Sequence, residues 1–130
     1  MSVRIKILAV IYIFILAGIV VLADFRETQF LFGFIRRLPF GDKIGHFFLM
    51  GMFSLLVNLA LSAKTAGIWK LNYLLGSLIV LLIVTVEEIS QIFIRGRTFD
   101  AGDLLADAAG IFIFGEIARL VIKKSRFSRR

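Results

Sequence analysis

Four apolar runs, each about as long as an α-helix must be to cross a bilayer, dominate this chain: Ile5 to Ala23, Ile44 to Ala63, Leu71 to Ile94 and Leu104 to Ile122. A helix rises about 1.5 Å per residue, so some 20 apolar residues cover roughly 30 Å of hydrocarbon. No water is available there to satisfy backbone N–H and C=O groups, which leaves the helix as the spanning form for runs of this length. Composition agrees: 59% of the 130 residues are hydrophobic and the mean hydropathy is +0.93, against roughly 45–50% apolar residues in soluble domains. The expected fold is an all-α membrane protein, a bundle of about four transmembrane helices.

Residues 1–23 form the first expected span. Arg4 and Lys6, an apolar stretch, and then Val21-Leu22-Ala23 also fit a secretory signal with a small-residue cleavage site. The apolar stretch exceeds the 7–15 residues usual for such a signal, which favours a retained helix, an uncleaved signal anchor. Residues 24–43 form the first connection. It mixes Phe25, Phe30, Phe32, Phe34 and Phe40 with Arg36, Arg37 and Pro39. That mixture suits the headgroup zone, as an anchor for the bundle or as a lid over a lipid-facing pocket.

The net charge of +7 and the pI near 10.4 do not point to nucleic acid, because the basic residues lie between and beyond the apolar runs. They read as topology determinants and lipid-headgroup contacts. The amino terminus, the loop between the second and third runs, and the basic tail of residues 123–130 carry nine Lys and Arg; the connections on the opposite side carry six. This bias places both termini in the cytoplasm and the chain in the cytoplasmic (inner) membrane as a multi-pass protein. The chain has no cysteine, so disulfides, thiolate chemistry and Cys-type zinc sites are excluded. It also lacks a Walker loop, a G-x-S-x-G elbow and an H-E-x-x-H helix.

The polar residues gather at one end of this arrangement. Asp42, Lys43 and His46 open the second helix; Glu87, Glu88 and Gln91 close the third; Arg95, Arg97, Asp100 and Asp103 occupy the next connection; Asp107 lies one turn into the fourth helix. Those ends share a membrane side, the extracytoplasmic one in the expected orientation. Asp42 with His46, Glu87 with Gln91, and Asp103 with Asp107 are i,i+4 pairs on common helix faces. Gly41 and Gly45, together with Ala106, Ala108, Ala109 and Gly110, offer close helix approach beside them. A cluster of ionisable groups at this depth reads equally as a functional site or as polar glue. Glu116 and Arg119, near the other face, read as a structural i,i+3 pair.

Three motifs in order, Asp42-Lys43 with His46, Glu88 with Gln91, and Arg97 with Asp100 and Asp103, resemble the VanZ-like family pattern of D-K-x-x-H, E-x-x-Q and R-x-x-D-x-x-D. The resemblance covers residues 39 to about 115, so residues 44–122 read as a VanZ-like three-helix core. The family is named for teicoplanin resistance, and the resemblance implies a role in the cell envelope without naming a reaction. Matched by position, its functional candidates fall on Asp42, Lys43, His46, Glu88, Gln91, Arg97, Asp100 and Asp103. The chain departs from the family at Asp107, commonly Asn, at Gly115, which falls one place late, and at Arg95, often Pro.

Several chemistries remain open for this cluster. Lys43, Arg97 and Arg95, with Gln91, Asp42 and Asp100 around them, can bind the phosphate of an anionic lipid or lipid-linked envelope precursor. Glu88, His46 and Asp103 can instead serve as catalytic groups of a hydrolase or transferase acting on a phosphorylated lipid. His46 with Asp42, Glu88, Asp103 or Asp107 could ligate a divalent metal; this is the less favoured version, since no metal spacing exists within one segment. Transport fits least, because four helices without a broken pair seldom support alternating access unless they form a homo-oligomer. A structural membrane protein without a ligand is the remaining class. Membrane lipids are the expected partners, and nucleic acid is not.

Overall fold

The computed structural model describes residues 3–24 and 33–128. The stretch that carries Phe25, Arg26, Phe30 and Phe32, and the terminal Arg129 and Arg130, lie outside the described residues. The fold is mostly helical. Helix α1 spans Val3–Asp24, a short α2 spans Gly33–Arg37, and α3 spans Gly41–Ala60. A small antiparallel hairpin follows, β1 Thr65–Ile68 and β2 Leu71–Leu74, then α4 Leu75–Ser90, a 3₁₀ turn Gln91–Phe93, and α5 Ala101–Phe127.

Two of these elements, Gly41–Ala60 and Leu75–Phe93, are long and apolar enough to cross a membrane. Helices α3 and α5 pack most extensively against each other, with α1 against α3 and α4 against both α3 and α5. The apolar centre is formed by Leu16, Phe53, Val80, Val84 and Ile111, one or more from each long helix. Tyr12 ties α1 to this core by donating to the Leu49 carbonyl at 2.9 Å.

The third apolar run divides differently from expectation. Leu71–Leu74 is a strand, and the helix begins only at Leu75. Ile68 pairs with Leu71, so Trp69 and Lys70 form a two-residue turn. Such turns require a positive φ, which Trp69 adopts at 55°. A positive φ here is normally supplied by Gly, Asn or Asp, so the sequence carried no turn signal. Trp69 is almost wholly exposed, and the Lys70 ammonium lies 5.9 Å from its ring centroid.

The close helix approach falls at Gly110 on α5. A methyl group there would overlap the Phe47 carbonyl and crowd the Gly51 amide on α3. Gly45, expected to share in this contact, has open space around it. The end of α5 opens with Asp100 as N-cap and Asp103 in the first turn, and closes with Lys124 and Arg126 in the last turn. Both placements complement the helix dipole.

Polarity is inverted relative to a water-soluble bundle. Ser54, Asn58, Ser77, Glu88, Gln91, Asp103 and Asp107 are buried, while Ile7, Phe14, Phe48, Leu82, Val86 and Leu120 face outward. Exposed apolar surface on this scale marks contact with something other than water.

Candidate functional site

The start of α3, the end of α4 and the start of α5 converge, and their charged groups meet within hydrogen-bonding range. Lys43 is the hub at the rim. Its ammonium lies 3.2 Å from Asp100 Oδ2 and 3.2 Å from Asp103 Oδ1, joining α3 to α5. Asp100 also accepts from the Gly102 amide at 2.7 Å, the N-cap bond of α5. That amide and the lysine hold the Asp100 carboxyl below its ordinary value of 3.8. One turn deeper, His46 Nδ1 lies 2.9 Å from Asp107 Oδ1, and its Nε2 lies 3.7 Å from Asp103 Oδ2. The imidazole therefore sits between two carboxylates of α5, which are i,i+4 neighbours on one face.

Glu88 enters from α4 and is 1% exposed. Neither of its oxygens has a hydrogen-bond partner among the described residues, and the same holds for Asp107 Oδ2. Buried carboxylate oxygens without partners are rare, because the lost solvation is costly. Two overlapping groups could ligate a cation: His46 with Glu88 and Asp107, and His46 with Asp42 and Asp103; within each, the ligand atoms lie within 4.8 Å of one another.

The structure thus assembles Lys43, His46, Glu88, Asp100, Asp103 and Asp107, with Asp42 exposed on the rim. Gln91 is buried at the C-cap of α4. Its amide donates to Glu87 at 2.8 Å, the i,i+4 partner on its own helix. Arg97 is half-buried in the connection after α4, and Arg95 is exposed. Beside the rim, a depression of about 490 Å³ is lined by Leu38, Phe40, Gly41, Asp42 and Lys43.

A second polar group lies in the middle of the bundle and escaped the sequence reading. Ser54 donates to the Ile111 carbonyl at 2.8 Å, and the Asn58 amide donates to Ser77 Oγ at 2.9 Å and to the Ser54 carbonyl at 2.9 Å. All three side chains are fully buried, and Gly76 and Gly115 make room for them. The available signal was their polarity within apolar runs, where interhelical hydrogen bonding is the usual reason for Ser and Asn. At the far end, Glu116 pairs with Arg119 at 3.3 Å and accepts from Tyr73 at 2.9 Å, a structural contact that fastens the hairpin to α5.

Compared with known proteins, the chain matches no family model, no curated protein and no solved structure.

Proposed function

We propose that this chain is a multi-pass protein of the cytoplasmic membrane, similar to the VanZ-like family, that binds the phosphate of an anionic lipid or lipid-linked envelope precursor. The binding site is the polar end of α3, α4 and α5, facing away from the cytoplasm. Both termini lie in the cytoplasm, and the physiological context is the envelope chemistry to which glycopeptides such as teicoplanin are directed. The observation that carries the reading is Lys43, half-exposed at the mouth of a depression walled by Leu38 and Phe40. Its ammonium has three donors and spends two on Asp100 and Asp103, which leaves one for a phosphate oxygen. Arg97, half-buried in the following connection, carries the planar guanidinium whose chemistry suits bidentate phosphate binding. The apolar walls suit the first carbons of an acyl or isoprenoid chain.

A second reading is favoured by Glu88. A buried carboxyl without a partner, next to His46, is the arrangement from which a general base is built, so a hydrolase or transferase acting on a phosphorylated lipid uses the same end of the bundle.

Native mass spectrometry of gently solubilised protein tests the binding reading. Wild type is expected to retain a phosphorylated lipid that Arg97→Ala and Lys43→Gln lose while remaining folded. Equal retention by all three, or none by any, would remove the site and leave the charged cluster as interhelical glue.

A further inference from the structure

We propose that His46, Glu88 and Asp107 form a binding site for a divalent transition-metal ion of the Mn²⁺ or Zn²⁺ type. The inference rests on reading this cluster as a ligand site, and it concerns the inner part of it. Three long helices contribute one ligand each: His46 from α3, Glu88 from α4 and Asp107 from α5. Their donor atoms lie within 4.8 Å of one another. An ion bonded to nitrogen and oxygen at about 2.0–2.2 Å would draw them inward by a small shift of each side chain.

Both oxygens of Glu88 and the second oxygen of Asp107 lack hydrogen-bond partners among the described residues, and these side chains are 1% and 0% exposed. Unpartnered buried oxygens on two members of one candidate ligand group call for something electropositive. Lys43, the lysine of the cluster, is held by Asp100 and Asp103 at the rim. The outer group, Asp42 with His46 and Asp103, makes a poorer site. Asp103 already accepts from Lys43 at 3.2 Å, and Asp42 is solvated.

The donor set chooses the kind of ion. One imidazole and two carboxylates suit Zn²⁺ or Mn²⁺, whereas Ca²⁺ takes six to eight oxygens and Mg²⁺ binds few protein ligands and no imidazole by preference. Nδ1 of His46 faces Asp107, so it is the nitrogen placed to share the ion with that carboxylate. Nε2 then points toward Asp103, which Lys43 anchors in turn. A carboxylate behind a ligating histidine fixes its tautomer and ring orientation. Three protein ligands leave at least one coordination position open, and an oxygen of a phosphate held at the Lys43 rim is the ligand chemistry that fits it.

The test uses the full chain in mild detergent, stripped with EDTA, exposed to excess Mn²⁺ or Zn²⁺ alone, desalted and assayed for metal by mass spectrometry. Wild type is expected to keep one ion per chain and to melt at a higher temperature with it. Glu88→Gln and Asp107→Asn are expected to bind at least about 10-fold more weakly, with unchanged helical circular dichroism. Asp42→Asn is expected to load normally. Folded wild type that keeps no ion, or Glu88→Gln that loads like wild type, overturns the site. So does loss of the ion in Asp42→Asn with loading intact in Glu88→Gln, which would move it to the outer group. Lipid retention is read in parallel, with and without EDTA. An ion bound without any retained phospholipid removes the headgroup reading and leaves the metal site. Phospholipid kept equally by EDTA-treated wild type and by Glu88→Gln, with no ion in either, does the reverse.

Discussion

Asp100 illustrates how much a single side chain can do at the mouth of this bundle. It caps α5 through the Gly102 amide and receives Lys43 from α3, so one carboxylate both starts a helix and fastens two together. Its depressed pKa has a definite consequence for stability. A carboxyl whose folded pKa lies below its unfolded value stabilises the fold at pH above the unfolded pKa, and that contribution disappears as pH falls through the folded one. The loss should therefore appear below about pH 3.8, the ordinary value from which Asp100 is lowered. Asp100→Asn keeps a capping side chain but removes the charge. We expect it to melt lower than wild type at pH 6 and to show a shallower decline between pH 4 and pH 2, measured by circular dichroism. Identical acid profiles would show that the Lys43 contact contributes nothing to stability. Sequence alone identified Asp42, Lys43, His46, Glu88, Asp100 and Asp103 as a group because their types and positions are local properties of the chain. The partner choices were not legible. Gln91 does meet Glu87, its i,i+4 neighbour, but between helices Lys43 takes both Asp100 and Asp103 and His46 takes Asp107, because those choices depend on how far each helix is rotated about its axis.

At the level of elements, the apolar runs Ile5 to Ala23, Ile44 to Ala63 and Leu104 to Ile122 correspond to α1, α3 and α5 with shifted ends. Hydropathy reads such segments well since length and apolarity are what it measures. It failed at Leu71–Leu74, because apolar residues serve strand and helix alike and the turn that separates them is built on Trp69 rather than Gly. Of the small residues expected to allow close approach, Gly110 on α5 does so and Gly45 on α3 does not. Gly110 lies against the backbone of Phe47 and Gly51, two and six residues beyond Gly45. Backbone cannot yield as a flexible side chain does, so Gly110→Ala should destabilise the bundle by about 1–3 kcal/mol, the usual cost of overpacking. The control is Gly45→Ala, which meets open space and should change stability little. Thermal melting in one detergent measures both, and equal effects would mean that the α3 and α5 backbones are not in contact there.

For the whole molecule, the inverted distribution of polarity and the placement of Lys and Arg together make orientation the property with the widest consequences. Apolar side chains cover the outer faces of the helices, and the charged groups collect at two ends: the Lys43 to Asp107 cluster at one, Glu116, Arg119 and the basic residues of α5 at the other. The latter end also carries the hairpin, whose exposed Trp69 and adjacent Lys70 suit an interfacial position. Lys123, Lys124 and Arg126 continue α5 as helix, so they extend as a basic turn beyond the apolar stretch, where anionic cytoplasmic headgroups would attract them. The proposed orientation therefore sets the hairpin and the carboxyl terminus in the cytoplasm and the connection around Thr98 on the far side. The chain has no cysteine, so single-cysteine variants carry no background for thiol labelling. Thr98→Cys and Lys70→Cys both replace exposed residues. In intact cells, a membrane-impermeant maleimide should label Thr98→Cys at once and Lys70→Cys only after permeabilisation. The reverse pattern would invert the bundle and put the phosphate and metal chemistry on the cytoplasmic side, in reach of soluble phosphorylated metabolites rather than exported envelope precursors. Labelling of both positions in intact cells would mean that α4 does not separate them, and a multi-pass arrangement of α3, α4 and α5 would then be untenable.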